Sequence, residues 1–173
     1  ANPFVKIETT GVCIQSNLIG LYNANNITAA ITIGSYFKVP LLDCKDAIES
    51  YVPKNNRSQL ISKGTNEIIL DAYNANPSSM IVALENFLQL EKDNKLIIIG
   101  DMYELGEESL MEHNIIVSYL KDKNSLTYFI GKNFYSNKVT SPFFQFFATF
   151  EELSNHLEKS KPENKFILIK GSR

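Results

Sequence analysis

The sequence predicts an α/β fold of the Rossmann-like kind, with a mainly parallel sheet and helices on both faces. Short apolar runs alternate with stretches of helical period, which is typical of a parallel sheet whose strands are joined by helices. The runs are apolar throughout, not at every second position, so the strands are expected to be buried on both faces. With 44% hydrophobic and 21% charged residues, the 173-residue chain has enough apolar material for a core.

The regular part of this pattern begins near residue 59. Apolar runs occupy residues 67–72, 95–100, 126–131, 142–148 and 166–170. Helical patterns separate them at residues 79–90, 107–121 and 150–160. The spacing of Thr149 and Glu152 predicts a capping box at the start of the last helix. A further short strand is predicted at residues 59–62.

A different pattern precedes this region. Residues 4–19 predict one or two short strands with a turn at Gly11. A helix should follow, with Asn25 or Asn26 as its N-cap and with Pro40 at its end.

Residues 42–52 predict a second amphipathic helix, and the polar stretch that follows breaks the pattern. We therefore predict two units, residues 1–52 and residues 53–173.

Charge and composition exclude several classes of function. The formal net charge is −2, which gives no general attraction to nucleic acid or to an anionic membrane. No apolar run is long enough to span a bilayer and no signal-peptide pattern is present, so a cytoplasmic location is expected. Cys13 and Cys44 are isolated and are expected to be reduced. His113 and His156 have no partners at metal-ligand spacing, so both are expected to be structural.

An unusually polar turn follows the first apolar run of the regular region. It contains Asp71, Tyr73, Asn74 and Asn76, and Pro77 then suits the first turn of a helix. In an open α/β sheet, ligands bind at the carboxyl ends of strands. The residues alone leave two interpretations open, a ligand site and a well-capped turn.

Two other strand ends carry polar groups as well. Asp101 and Glu104 follow one strand, and Lys170, Ser172 and Arg173 follow another. Because parallel strands end at the same edge, these groups should form one rim. Cations, carboxylates and amides together suit a zwitterionic or phosphorylated ligand. The simpler interpretation for the two acids is charge at a helix N-terminus.

Carboxamides also cluster near the first helix. Asn23 and Asn26 each offer a donor and an acceptor, which suits the edge of a purine, although helix capping explains them equally. Arg57, at the predicted boundary, is either solvated or reaches a ligand held between the units. The segment at Gly131 and Lys132 lacks the spacing and the hydroxyl of a phosphate loop.

Four blocks together resemble a known family. They are residues 18–30 (LIGLYNANNITAA), 71–80 (DAYNANPSSM), 100–106 (GDMYELG) and 168–173 (LIKGSR). In order and spacing they resemble the Mur ligases of peptidoglycan synthesis. The second block is similar to the branch that adds D-alanyl-D-alanine to UDP-N-acetylmuramoyl-tripeptide. The resemblance implies an ATP-dependent ligase that forms a C–N bond through an acyl phosphate.

The resemblance also implies a domain assignment. Residues 1–52 would be the tail of the family's central ATP-binding domain, and residues 53–173 its C-terminal domain without the last helix. The family's phosphate loop, magnesium ligands and carbamylated lysine would lie outside this sequence. ATP and Mg²⁺ are therefore the implied cofactors, but no catalytic residue or metal ligand is expected here. We expect no catalysis from this chain alone.

Roles for individual residues follow from the same resemblance. The implied ATP-binding residues are Asn23 and Asn26 at the adenine, Arg57 and Asp71 at the ribose, and Tyr73 beside the nucleotide. The residues implied on the D-alanyl-D-alanine and phosphate side are Asn74, Asn76, Asp101, Glu104, Lys170, Ser172 and Arg173. Tyr22 stands where the family often has histidine, so no role is implied for it.

The implied partners are small molecules: ATP, UDP-muramoyl-tripeptide and D-alanyl-D-alanine. The complete enzyme is expected to be a monomer, whereas this chain could self-associate through exposed strands in residues 4–19.

Two other functions stay open. One is a different amide ligase of similar fold, such as another Mur ligase or a folylpolyglutamate synthetase-like enzyme. The other is a non-enzymatic Rossmann-like module that binds a nucleotide or acts as a receiver, with Asp71 or Asp101 as phosphoacceptor.

Overall fold

The computed structural model describes residues 3–172. A six-stranded sheet with helices on both faces forms the larger part, and a two-stranded hairpin with two helices precedes it. The elements are β1 (Phe4–Thr9), β2 (Val12–Ile19), α1 (Asn23–Tyr36), α2 (Leu41–Ser50), β3 (Gln59–Lys63), β4 (Asn66–Asp71), α3 (Pro77–Gln89), β5 (Lys95–Gly100), α4 (Ser109–Lys121), β6 (Leu126–Ile130), α5 (Lys132–Ser136), β7 (Phe144–Phe147), α6 (Phe150–Lys159) and β8 (Phe166–Lys170). We call β1, β2, α1 and α2 the N-terminal unit.

The larger sheet confirms the predicted α/β class. Its strand order is β3-β4-β8-β5-β6-β7, and every pair is parallel except β3 with β4. The register sets Asp71 beside Lys170, and Lys170 beside Ile99 on the next strand. The polar segments after β4, β8 and β5 therefore lie at one edge, as predicted. Gly171 passes so close to Gly100 that a Cβ on Gly171 would lie 3.2 Å from the Gly100 backbone.

Two apolar layers hold the sheet between its helices. On one face, α3 and α4 pack through Leu84, Phe87, Ile116 and Leu120. On the other, α6 packs through Leu153 against strand residues that include Ile98.

Most predicted elements are present, but some of their ends differ. Thr149 caps α6 by accepting the Glu152 N–H at 3.3 Å, whereas the Glu152 carboxylate accepts from Ala148 and not from Thr149. The predicted capping box is therefore only half correct. The sequence did not predict α5, because five residues are too few to show helical periodicity.

The N-terminal unit contains the predicted hairpin. Thr10 and Gly11 both have positive φ, 46° and 77°, which suits a two-residue hairpin turn.

The prediction of Asn25 or Asn26 as N-cap is wrong, because α1 begins at Asn23. Backbone bonds fix this start: the Asn23 N–H donates to Gly20 O and the Ala24 N–H donates to Leu21 O, both at 2.9 Å. The helix also ends at Tyr36, before Pro40. Lys38 has a φ of 60° and turns the chain, so Pro40 precedes α2 instead of ending α1.

The outer surface of the N-terminal unit is apolar in places. Ile27 of α1 is buried, whereas Phe37, which directly follows that helix, is 72% exposed. No helix within residues 3–172 is both long and apolar enough to cross a membrane.

Candidate functional site

A pocket of about 370 Å³ lies where the N-terminal unit meets the carboxyl edge of the larger sheet. We call it the inter-unit pocket. Its lining residues are Leu18, Tyr22, Asn23, Asn26, Tyr51, Arg57, Ser58, Asp71, Tyr73 and Asn74. It therefore brings together all five residues predicted to bind ATP, which come from separate parts of the chain.

Asp71 ends β4 and is hydrogen-bonded on both carboxylate oxygens. Its Oδ1 accepts from the Ser58 N–H at 3.1 Å, and its Oδ2 accepts from the Lys170 Nζ at 2.7 Å. Lys170 is only 3% exposed, so its charge is compensated mainly by this carboxylate. Lys170 was predicted to face the dipeptide carboxylate or the phosphate, and that role stays a prediction; in the structure its ammonium group is paired with Asp71.

Tyr22 of the N-terminal unit contacts Ser58, the residue that donates to Asp71. The Tyr22 hydroxyl lies 2.7 Å from Ser58 Oγ. Burial raises the pKa of Tyr22 above its usual value, and the nearby Asp71 carboxylate adds to this effect, although the Ser58 hydrogen bond opposes it. The phenol therefore stays protonated at neutral pH.

The two asparagines at the start of α1 form a linked pair. Asn23 is buried, and its Nδ2 donates to Ile19 O at 2.7 Å. Its Oδ1 accepts from Asn26 Nδ2 at 2.9 Å. The Asn26 Oδ1 accepts no hydrogen bond from the residues that the structure describes, so it is available to a ligand donor.

Arg57 and Tyr73 form the opposite wall of the pocket. The Arg57 guanidinium carbon lies 3.7 Å from the centroid of the Tyr73 ring, within cation–π distance. Both residues are exposed. This stack leaves the guanidinium N–H groups free to turn toward an acceptor in the pocket.

Asn74 and Asn76, predicted on the dipeptide side, have local roles. Asn76 is the N-cap of α3: its Oδ1 accepts from the Ser79 N–H at 2.8 Å, and the Ser79 hydroxyl completes a capping box. Asn74 Oδ1 accepts from the Ala75 N–H at 2.9 Å. The amide groups of both side chains stay available as donors.

Asp101, which follows β5, is buried against the N-terminus of α5. The sequence did not predict this contact. Its carboxylate accepts from the N–H groups of Asn133 and Phe134, both at 3.0 Å. A Cβ at Gly131 would overlap this carboxylate, so glycine is required there. His113 Nε2 lies 3.6 Å from the same carboxylate and accepts the Met102 N–H, while its Nδ1 donates to Ser109 O. Asp101 therefore organises its loop.

The predicted roles of Ser172, Glu104 and Arg173 stay untested. Ser172 Oγ accepts from the Tyr103 N–H at 3.1 Å and donates to Ala75 O at 3.2 Å, which ties together the loops after β4, β5 and β8. Glu104 is exposed in the same loop, with a φ of 65°. Arg173 lies outside the described residues.

A second and larger cavity, about 760 Å³, lies at the same edge of the sheet, on the side of α6. Its lining includes the apolar residues Ile98, Ile130 and Ile169 and the polar residues Tyr103 and Lys132. Within residues 3–172, no cluster of three or more His, Cys, Asp or Glu side chains could hold a metal ion.

A mainly parallel sheet with pockets at its carboxyl edge is the arrangement in which open α/β domains usually bind ligands. Residues 56–173 match the family described as Mur ligase, glutamate ligase domain, and the chain belongs to the Mur ligases. This confirms the predicted family.

Curated relatives support the predicted branch of the family. The chain is 34% identical over 157 residues to the UDP-N-acetylmuramoyl-tripeptide–D-alanyl-D-alanine ligase of Rickettsia prowazekii, which covers 87% of this chain and 34% of the relative. The enzyme of the same name from Buchnera aphidicola (subspecies Baizongia pistaciae) is also 34% identical, over 90% of this chain and 35% of the relative. The chain therefore spans about one third of the length of these relatives.

Solved structures agree with the fold. MurF from Acinetobacter baumannii superposes with a TM-score of 0.80 at 26% identity, covering 98% of this chain and 39% of that one. MurF from Thermotoga maritima in complex with ADP gives a TM-score of 0.74 over 98% of this chain and 40% of that one; its 20% identity supports the fold alone.

Proposed function

We propose that the chain is part of an ATP-dependent ligase that adds D-alanyl-D-alanine to UDP-N-acetylmuramoyl-tripeptide in peptidoglycan synthesis. Within that enzyme, residues 1–52 would belong to the central domain and residues 53–173 to the C-terminal domain. Relatives with this name match most of the chain. The chain would supply part of the nucleotide site and part of the site for the incoming dipeptide.

The main support for this proposal is the set of residues that line the inter-unit pocket. Asn23 and Asn26 of α1 line the same pocket as Arg57, Asp71 and Tyr73. A volume of about 370 Å³ lies within the usual range for small-molecule sites, about 300–1,000 Å³.

The donor set fits a nucleoside triphosphate. The carboxamide of Asn26 offers both a donor and an acceptor to a purine edge. Arg57, held against Tyr73, supplies positive charge, and the Asp71 carboxylate accepts hydrogen bonds from hydroxyl groups. ATP would supply the phosphoryl group that turns a carboxylate into a reactive acyl phosphate. The chain's own residues would orient the nucleotide and exclude water. The described residues offer no metal cluster, so we assign none of them to Mg²⁺.

On the dipeptide side, the exposed side chains are the best candidates for contact. Glu104 offers a carboxylate to an ammonium group, and Asn74 offers its amide N–H groups. Asn76, Asp101 and Ser172 would support this rim through the loops that they hold.

The proposal is tested in the complete protein that carries this chain. Phosphate release from ATP should require both UDP-N-acetylmuramoyl-tripeptide and D-alanyl-D-alanine. Arg57→Ala should raise the KM for ATP about tenfold, the effect of one or two lost polar contacts. Lys138→Ala is the matched control, because Lys138 lies over the exposed Tyr135 ring in the same way but far along the chain from the pocket residues.

Two results would contradict the proposal. Phosphate release that depends on a single amino acid, and not on the dipeptide, would favour another amide ligase of this family. An unchanged KM for ATP in Arg57→Ala would remove the inter-unit pocket from the nucleotide site.

A further inference from the structure

The inter-unit pocket has walls from two different parts of the chain. Asn23 and Asn26 belong to the N-terminal unit, whereas Asp71 is the last residue of β4 in the larger sheet and Tyr73 follows that strand. A ligand that touches both walls binds well only if their separation is fixed, because misplacements of about 1 Å are costly in a catalytic site. The contacts that set this separation are therefore part of the site's function.

Ser58 lies between the two walls and is only 6% exposed. On one side, its Oγ is 2.7 Å from the Tyr22 hydroxyl of the N-terminal unit. On the other side, its N–H and its hydroxyl both donate to Asp71 Oδ1, at 3.1 and 3.4 Å. One residue thus contacts both parts of the pocket.

The directions of these hydrogen bonds follow from the chemistry of the groups. An ionised carboxylate only accepts, so the single Ser58 hydroxyl proton points to Asp71. The Tyr22 hydroxyl must then donate to Ser58 Oγ. The burial that raises the pKa of Tyr22 keeps this donor protonated at neutral pH. The result is a directed chain from Tyr22 through Ser58 to Asp71, which Lys170 holds from the other side.

The backbone of Ser58 is also unusual. Its φ is 48°, in the left-handed region that residues other than glycine, asparagine and aspartate seldom adopt. Such a conformation persists only where the surrounding contacts hold it, and it is often found at functional sites. Here it aims both donors of Ser58 at the same carboxylate oxygen.

We propose that Ser58 is a positioning residue that fixes the separation of the two walls of the inter-unit pocket, through Tyr22 on one side and Asp71 on the other, for a nucleoside triphosphate bound between them. The choice of ligand rests on the proposed function, whereas the role of Ser58 in holding the walls does not. Ser58 acts on the nucleotide through Asp71.

The structural part of the proposal is tested on the 173-residue chain itself. Spin labels at Asp46→Cys on α2 and Gln89→Cys on α3, both exposed positions, report the distance between the two parts by pulsed electron paramagnetic resonance. Cys13, which is exposed, is replaced by serine in this background. The unsubstituted pair should give one narrow distance distribution. Tyr22→Phe and Ser58→Ala should each broaden it and add a longer population.

Matched controls come from α5. Tyr135→Phe removes a phenol, and Ser136→Ala removes a hydroxyl that donates only within its own helix, to Lys132 O at 2.8 Å. Neither should change the distribution. Ser58→Gly gives a second test at the same position, because it relieves the positive φ yet still lacks the hydroxyl. It should broaden the distribution even where Ser58→Ala folds poorly.

The functional part is tested in the complete protein that carries this chain. Tyr22→Phe and Ser58→Gly should raise the KM for ATP about three- to tenfold, the value of one hydrogen bond, and leave the KM for D-alanyl-D-alanine unchanged. Distance distributions as narrow as in the unsubstituted chain would overturn the proposal, as would unchanged ATP kinetics alongside a normal response to Arg57→Ala. Broadened distributions in the chain, together with no use of ATP by the complete protein, would uphold Ser58 as a link between the two parts and reject the proposed function.

Discussion

Replacing Asp101 by alanine removes the group that holds the start of α5. The carboxylate is 8% exposed and accepts two backbone N–H groups, from Asn133 and Phe134, each at 3.0 Å. Phe134 is itself fully buried, so water cannot replace the lost acceptor at its amide. Hydrogen bonds to a charged group contribute about 1.5–3 kcal/mol each, and helix N-caps about 0.5–2 kcal/mol. Because the two bonds share one carboxylate, we expect a total loss of about 3 kcal/mol.

Urea denaturation followed by circular dichroism measures this loss. In a thermal denaturation scan, the same change of about 3 kcal/mol should lower the melting temperature by about 6–12 °C in a chain of this size. The control is Glu104→Ala, an exposed acid in the same loop, which should change the free energy of unfolding by less than about 0.5 kcal/mol. Asp101→Asn should fall between them, because one amide oxygen still accepts.

The result also separates two interpretations of Asp101. If Asp101→Ala unfolds like the unsubstituted chain but raises the KM for D-alanyl-D-alanine, the carboxylate serves the ligand and the structural argument is refuted. If stability falls as expected, kinetic effects of the same variant are explained by displacement of the loop.

Three further predictions concern neighbouring groups. Gly131→Ala should destabilise the chain by about 2 kcal/mol or more in urea denaturation, because φ is 118° there and the added Cβ would overlap the Asp101 carboxylate. Lys170→Met should cost about 2 kcal/mol by leaving Asp71 unpaired, and the double variant with Asp71→Asn should recover part of that loss. The free energy of unfolding that Tyr22 contributes is fully present below the unfolded-state pKa of about 10 and is lost as pH rises through the raised pKa of the folded state. Tyr22→Phe should therefore reduce the loss of stability at alkaline pH.

The sheet could be predicted because the apolar composition of each strand identifies it without knowledge of the other strands. β5 has four consecutive buried residues and β8 three, so both were found with their correct bounds from apolar composition alone. Parallel order then placed the polar segments after β4, β5 and β8 at one edge without knowledge of any contact. The capped turn, one of the two interpretations that the sequence left open after β4, is also a local feature, because Asn76 and the amides that it caps are neighbours in sequence.

The failed predictions depend on contacts that sequence spacing does not record. The start of α1 is fixed by backbone bonds from Asn23 and Ala24, so the nearby asparagines gave a false capping signal. The partners of Asp101 lie 32 and 33 residues away, on a helix too short to be predicted. No sequence pattern indicated a role for Ser58, because the residue type does not show that a serine in a polar linker adopts a positive φ.

The polar residues at the strand ends divide into two kinds, and the division bears on how variants of this site are interpreted. The side chains of Asn76, Asp101 and Ser172 accept hydrogen bonds from backbone N–H groups of the loops around them. Arg57 and Glu104, in contrast, are exposed, and no backbone group takes up their charge in the described chain. A loop held near a ligand cannot use water to satisfy its buried amides, so it needs side-chain acceptors of the same chemical types that bind substrates. A dense polar motif therefore marks the place of a site more reliably than it marks which side chains touch the ligand.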